Sequence, residues 1–144
     1  MATTYFVGKA SQDANGAFFN QPKYIENGSI SVVSQFTPAT CVINDVYNVA
    51  KVPAGAVITD VSLDTADLDS GTAITLSVGD ATTVNRFISA SNVGQAGGIV
   101  RLSVQGGLGF VYTTDTLIQV KVIAAPTGFT AGLITVAITY TMTP

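Results

Sequence analysis

The stretch ITVAITYT, residues 134–141, decides the fold class of this chain. Large apolar residues alternate in it with threonine or alanine, which is the period of a β-strand with one buried face. The large residues are Ile134, Val136, Ile138 and Tyr140. Because β-branched residues fit a pleated, half-buried surface, the composition of the stretch favours the same structure.

Working outward, the stretch IQVKV, residues 118–122, repeats the alternation with Gln119 and Lys121 on the polar face. Further short apolar runs are separated by glycine, aspartate and asparagine. They lie at 30–36, 41–52, 57–63, 74–78, 84–90, 100–104 and 110–112. In the 57–63 run we expect Val57, Val61 and Leu63 to share one face. No segment has a helical period of useful length.

The pattern predicts an all-β protein of about eight strands. Open sheet edges invite aggregation, so we expect an antiparallel two-sheet sandwich of jelly-roll type. The periodicity is equally compatible with another Greek-key sandwich. One domain accounts for a chain of 144 residues. We place it at residues 29–144, after an N-terminal arm at residues 1–28.

The arm stands apart because it is aromatic and only weakly periodic. It holds five of the twelve aromatic residues of the chain. These are Tyr5, Phe6, Phe18, Phe19 and Tyr24. One interpretation is a strand and loop folded over the core. The other is an arm whose aromatic side chains bind a neighbouring subunit, since aromatic residues are enriched at interfaces. The five aromatics are therefore the candidate interface residues.

Composition limits the function further. The chain is 47% hydrophobic and only 10% charged, with a net charge of −3 and a mean hydropathy of +0.45. Six scattered basic residues offer no stripe that would neutralise phosphates, so we expect no nucleic-acid partner. No apolar segment is long enough to predict a helix that spans a membrane. A chain so poor in charge is expected to have protein partners that cover part of its surface.

Enzymatic chemistry has little support in the sequence. The chain has no histidine, so neither a Ser-His-Asp triad nor a Cys-His pair can be built from it. Cys41 has no partner for a disulfide and is expected to be a small buried hydrophobe. An unpaired thiol fits folding in a reducing cytoplasm. We predict no catalytic residues and no cofactor.

Aspartates form the densest cluster of side-chain oxygens. They are Asp60, Asp64, Asp67 and Asp69, with Asp80 after the next strand. Hard cations such as calcium prefer oxygen ligands, but the spacing does not match an EF-hand loop. Aspartate is equally expected in tight turns, where its carboxylate accepts hydrogen bonds from the local backbone. Turn chemistry and a cation site both stay open, with turns favoured and no metal site predicted.

Arg86 and Arg101 are the only two arginines. On strand-like segments they are expected to lie on solvated faces or to pair with nearby aspartates. The alternative is that they serve as interface anchors. The glycines of 94–98 and 105–109 have no P-loop ending and are expected to permit turns and bulges.

Several motifs in order resemble a group of small structural proteins of tailed bacteriophages. The stretch KVPAGAVITDVSLDTADLDSGTAITLSVGD, residues 51–80, begins the resemblance. RFISAS (86–91), GLGFVYTTDTLIQVKV (107–122) and AGLITVAITYT (131–141) continue it. The resemblance covers roughly residues 45–142. It implies a jelly-roll or sandwich protein of the head decoration (cement) type, although such proteins occur at other positions in virions.

The sequence thus predicts a virion structural protein that binds the outer surface of a phage head and stabilises the capsid lattice. Its expected partners are the major capsid protein and other copies of itself, as dimers or trimers. Assembly would take place in the host cytoplasm. The alternative is a receptor- or glycan-binding β-module of a tail fibre or other surface appendage.

Overall fold

The computed structural model describes residues 28–143, which form eight β-strands and one short 3₁₀ turn at Val93–Gln95. The strands are β1 Ile30–Phe36, β2 Val46–Val52, β3 Ala56–Thr65, β4 Thr75–Gly79, β5 Ile88–Ser91, β6 Gly98–Arg101, β7 Thr116–Ala124 and β8 Ile134–Met142. No α-helix occurs between residues 28 and 143. The predicted all-β class is confirmed. The predicted arm, residues 1–28, lies outside the described residues except for its last residue.

Two antiparallel sheets of four strands each form the sandwich. One has the order β1-β8-β3-β6, and the other has the order β2-β7-β4-β5. The first strand pairs with the eighth, the second with the seventh, the third with the sixth and the fourth with the fifth. This nested pairing of a folded ribbon is the strand order of a jelly roll, so the predicted sandwich is confirmed.

The alternating runs behave as their periodicity predicts. In β8 the exposed fractions of Ile134, Val136 and Ile138 are 0%. In β7 Ile118, Val120 and Val122 are equally buried. These two strands are the central partners of their sheets, and their apolar faces meet in the core between the sheets. Burial of such side chains is the main favourable contribution to folding.

The prediction for the face of β3 was wrong at Val57. Ile58 is buried with Val61 and Leu63, whereas Val57 is only partly buried. The register against β8 shifts between Ile58 and Asp60, which marks a β-bulge. An extra residue in one strand reverses the alternation on either side of it, so Val57 leaves the face that it was expected to share.

Four apolar runs are shorter strands than predicted, or no strands. The run 84–90 becomes strand only at Ile88, and the run 100–104 ends as strand at Arg101. The run 110–112 makes a single bridge from Val111 to Val57. The run 41–52 begins with a turn, and its strand starts at Val46. Phe87 and Tyr112 are buried although they lie in loops, so part of this apolar pattern reflects burial beneath a loop and not membership of a sheet.

Candidate interaction surface

The strands place their connecting loops at two ends of the sandwich. We call one the groove end, which consists of residues 53–55, 80–87 and 102–115 together with the start of β1 and the end of β8. We call the other the Asp69 end, which consists of residues 37–45, 66–74, 92–97 and 125–133. Binding residues are often carried by loops that a rigid scaffold positions, so both ends are candidate sites.

An ion pair organises the groove end. Asp80 follows β4, and the Nε of Arg86 lies 2.5 Å from its Oδ2. The Oδ1 of Asp80 also accepts hydrogen bonds from the backbone N–H groups of Thr82 and Thr83, at 3.0 and 2.8 Å. Aspartate favours such turns because its short side chain reaches the backbone two or three residues ahead. The loop 80–86 is therefore closed by one carboxylate.

Two aromatic rings from a distant loop complete the cluster. The guanidinium of Arg86 lies over the ring of Phe110, 3.8 Å from its centroid, in a cation–π contact. Tyr112 packs edge-on against Phe110, with ring centroids 4.9 Å apart. The hydroxyl of Tyr112 donates to the Oδ2 of Asp80 at 2.7 Å. The cluster therefore joins the loop 80–87 to the loop 102–115.

The electrostatics fix the protonation of this cluster. Burial alone would raise the pKa of Asp80, but hydrogen bonds from Arg86, Tyr112 and the backbone of Thr83 hold that pKa below its usual range. Burial and the bond to Asp80 raise the pKa of Tyr112 above its ordinary value. The hydrogen bond to Asp80 raises the pKa of Arg86. Asp80 is therefore ionised and hydrogen-bonded by its neighbours. We call the cluster of Asp80, Arg86, Phe110 and Tyr112 the clamp, because it holds the two loops together.

A groove of about 440 Å³ opens beside the clamp. Its lining combines apolar side chains such as Val111 and Leu117 with threonine hydroxyls and the amide of Gln119. The charged groups on its wall are already paired, because Asp80 binds Arg86 and Asp115 binds Lys51. The groove presents mixed apolar and hydrogen-bonding surface and little net charge.

A different device organises the Asp69 end. The carboxylate of Asp69, whose exposed fraction is 1%, accepts hydrogen bonds from four backbone N–H groups. The donors are Gly71, Ala73, Ile74 and Gly128, at 2.8 to 3.0 Å. Burial opposes ionisation, but the four donors outweigh it and hold the pKa of Asp69 well below its usual range. One carboxylate therefore ties residue 128 to the loop 69–74.

The remaining aspartates of the cluster are dispersed. Asp60 pairs with Arg101 at 3.1 Å on the outer face of its sheet. Asp67 accepts a hydrogen bond from the backbone of Asp69, and Asp64 is exposed on β3. Within residues 28–143 no group of three or more metal-binding side chains is close enough to hold an ion. Turn chemistry, the favoured alternative, describes Asp67, Asp69 and Asp80.

Cys41 is buried and free, with the hydroxyl of Tyr47 at 3.7 Å from its sulfur. Burial raises the pKa of its thiol, which keeps the sulfur protonated and unreactive. Cys41 thus lies in the core as predicted. Both arginines pair with an aspartate, which was one of their predicted alternatives.

The candidate interface residues of the arm lie outside the described residues. Among residues 28–143, nine large apolar side chains are exposed. They are Val33, Val42, Ile43, Val46, Ile99, Leu108, Val111, Leu117 and Leu133. Leu108, Val111 and Leu117 belong to the groove end and the start of β7. No helix in this part of the chain is long and apolar enough to cross a membrane.

Sequence reasoning missed Phe110 and Tyr112 as partners of Asp80 and Arg86. The spacing of Asp80 and Arg86, six residues apart, carried a signal for an ion pair. Tyr112 lies 32 residues beyond Asp80, and only the fold brings the two together. The apolar run predicted at 110–112 gave no sign of the contacts that these two rings make with Arg86 and Asp80.

Comparison with solved structures finds phage capsids. A chain in the structure "Cyanophage Pam1 capsid asymmetric unit" is 29% identical with a TM-score of 0.74, over 82% of this chain and 87% of that chain. A chain in "Capsid of Ralstonia phage GP4" is 27% identical with a TM-score of 0.68, over the same shares.

A third match extends the likeness in fold alone. It is a chain in the acid-stable capsid of the Helicobacter pylori bacteriophage KHP30, 18% identical with a TM-score of 0.55 over 79% of this chain and 91% of that one. No family model and no curated protein matches the sequence. The predicted resemblance to structural proteins of phage particles is confirmed. The two more similar neighbours support a non-enzymatic, structural role in a phage virion.

Proposed function

We propose that this chain is a capsid decoration, or cement, protein that binds the outer surface of a phage head. The observation that carries the proposal is the likeness to chains in two phage capsid structures over 82% of the sequence. The partner is the major capsid protein. The protein reaches the virion after synthesis and folding in the host cytoplasm, and it works through buried area and not through chemistry.

The surface of the sandwich supports this role. A chain that is only 10% charged exposes nine large apolar side chains between residues 28 and 143. A specific interface buries on the order of 1,000 Å² or more. Repetition over a symmetric lattice then converts modest affinity at one site into strong overall attachment. Self-association into dimers or trimers around symmetry axes would bring several copies to one position.

We assign residues 1–28 to an arm and residues 29–144 to the sandwich domain. The arm aromatics Tyr5, Phe6, Phe18, Phe19 and Tyr24 are the proposed interface residues. Aromatic side chains supply large contact areas at low entropic cost, which is why they dominate binding hot spots. The arm thereby adds specific contacts to those of the sandwich.

The test is reconstitution on heads that lack the protein. Full-length chain and a variant without residues 1–20 are added, and bound protein is measured by sedimentation and by cryo-electron microscopy. We expect full occupancy of the outer surface by the first and reduced occupancy by the second, while both melt cooperatively. Equal occupancy would contradict the role of the arm. Binding of neither to heads would contradict the decoration function.

A further inference from the structure

We propose that two copies of this chain pair through the free edge of β1, antiparallel and about a two-fold axis. Their β1-β8-β3-β6 sheets then form one continuous sheet of eight strands. The inference rests on the proposed function only in that it gives the proposed self-association a surface, and it commits that self-association to a dimer. Three observations carry it: the regular backbone of β1, the absence of charge around it, and a sequence that complements itself.

Three of the four sheet edges carry a feature that discourages pairing with a further strand. β2 has a register shift between Asn48 and Ala50, and it carries the charge of Lys51. β5 and β6 have only four residues each. In β5 the backbone of Ala90 leaves the extended conformation, with a φ of +43°, and β6 ends in Arg101. These three edges are therefore poor templates for another strand.

The fourth edge, β1, has none of these features. Its register against β8 runs without a shift from Ile30 to Phe36. It contains no charged residue and no proline, which are the residues that commonly protect an edge. Within residues 28–143 β1 pairs with β8 alone, so the backbone groups on its other side have no strand partner in this part of the chain. Such an edge can accept one further strand through main-chain hydrogen bonds.

Charged residues of the same sheet lie away from this edge. Asp60, Asp64 and Arg101 are on β3 and β6, the half of the sheet that is farther from the free edge of β1. β1 and its neighbour β8 contain no charged residue. A strand that is added to β1 therefore meets an uncharged sheet two strands deep. A second copy brings the same two uncharged strands, so no like charges are opposed across the new contact.

The sequence of β1 complements itself when two copies run antiparallel with all seven residues overlapping. Val33 then lies opposite the same residue of the second copy, and Ser31 lies opposite Gln35. Val33 has an exposed fraction of 62%, so the pairing covers an apolar side chain that water now reaches. On the core side Ile30 lies opposite Phe36. A β-branched residue beside an aromatic residue is a favourable cross-strand pair.

A second copy suits this edge better than another strand of the same protein does. Pairing about a two-fold axis uses the same strand in both copies, so the assembly closes at two chains and leaves neither β1 edge open. The other edges of a neighbouring copy are β2, β5 and β6, which are irregular, short or charged. The β1 edge is therefore the one that fits itself.

Sedimentation equilibrium of the isolated full-length chain tests the inference. We expect twice the mass of one chain, which is 14.8 kDa. Val33→Lys places two like charges directly opposite each other at the two-fold axis, so it should shift the mass toward that of one chain. Ile99→Lys is the matched control, because Ile99 is equally exposed and lies on β6, at the opposite edge of the same sheet. It should leave the dimer intact.

Two double variants test the register. Ser31→Lys with Gln35→Glu places opposite charges across the axis and should keep the dimer, whereas Ser31→Lys with Gln35→Lys opposes like charges and should dissociate it. Both variants lose the same two side-chain hydrogen bonds to β8, so they are matched in their effect on the single chain. Circular dichroism melts establish that every variant is folded.

Three outcomes would overturn the inference. A single-chain mass for the unmodified protein would show that the β1 edge does not join two copies. A larger oligomer whose mass Val33→Lys leaves unchanged would place self-association on another surface. Equal masses for the two double variants would contradict the antiparallel register. The measurement uses no capsid, so a monomeric chain that still binds phage heads would retain the proposed function and lose this inference.

Discussion

The two ends of the sandwich solve one problem in different ways. Each must fasten loops that are distant in sequence, and each uses one buried aspartate. Asp69 binds four backbone N–H groups, so its role depends on no other side chain. Asp80 binds Arg86 and Tyr112, so its role depends on two side chains from separate parts of the chain. The Asp69 end is thus fastened by backbone donors to one carboxylate, which we call the staple, whereas the groove end is fastened by the side chains of the clamp.

Asp69→Ala should have the largest effect. It leaves four backbone donors without their acceptor in a part of the loop that water hardly reaches. We expect the largest fall in melting temperature among the single substitutions considered. Asp69→Asn is the control, because it keeps a hydrogen-bond acceptor at one of the two oxygen positions. Its melting temperature should lie between those of Asp69→Ala and the unmodified chain. Equal melting of Asp69→Ala and the unmodified chain would contradict the staple.

Arg86→Ala should be the next in size. The substitution leaves Asp80 buried without its cation, and breaking such a pair from one side costs about 3 kcal/mol. Chemical denaturation monitored by circular dichroism measures the free energy of unfolding. Arg86→Lys is the control, because it keeps the charge and loses the planar contact with Phe110. If Arg86→Ala lost less unfolding free energy than Arg86→Lys, the ion pair with Asp80 would not stabilise the fold and the clamp would be contradicted.

Gly79→Ala tests the fit of the same loop. A Cβ at residue 79 would lie 2.2 Å from the carbonyl oxygen of Thr83, against backbone that cannot move aside easily. Crowding of this kind costs about 1–3 kcal/mol. Gly106→Ala is the matched control in the other loop of the groove end. Nothing lies within 4 Å of its new methyl, and only its φ of +88° is unfavourable. The free energy of unfolding should fall further in Gly79→Ala.

Acid should weaken both ends together. The pKa values of Asp69 and Asp80 are lower in the folded chain than their ordinary values. Their contribution to the free energy of unfolding is therefore fully present above the unfolded pKa of about 3.9. It is lost as the pH falls through the lower pKa values of the folded chain. Unfolding free energy should be flat from about pH 7 to 5 and decline below about pH 4. Asp80→Asn should make the decline shallower, and an unchanged slope would contradict the clamp.

Arg101→Ala should have the smallest effect. Its ion pair with Asp60 lies on an open sheet face, with exposed side-chain fractions of 69% and 39%. Such pairs contribute about 0.2–1 kcal/mol, because water and salt screen the charges. Unfolding in low and high salt should differ little between this variant and the unmodified chain. If Arg101→Ala lost as much unfolding free energy as Arg86→Ala, the surface pair would stabilise the fold as much as the clamp does, which would contradict the comparison.

Local periodicity predicted the central strands well. The alternation in β7 and β8 gave the correct buried faces, because each pairs on both sides and buries every second residue. It failed at Val57, where a bulge reverses the alternation, and at Phe87, which is fully buried although it lies in a loop. A period of two cannot signal an extra residue or a side chain that is buried by a loop.

The candidate site could be predicted only in part. Asp80 and Arg86 are close in sequence, and their pairing was among the expected alternatives. The rings of Phe110 and Tyr112 join them through contacts between residues that are far apart in the chain. Such contacts follow from the strand order, which one sequence does not reveal. The motifs of residues 51–80 and their successors nevertheless pointed to phage particles, as the capsid neighbours confirm.

The most direct test of the decoration function is immunogold electron microscopy of particles from the native source, with antibody raised against the recombinant chain. We predict gold spread evenly over the outer surface of icosahedral heads. Gold confined to tails or tail fibres, or to cell surfaces without particles, would contradict the proposal and favour a receptor- or glycan-binding module.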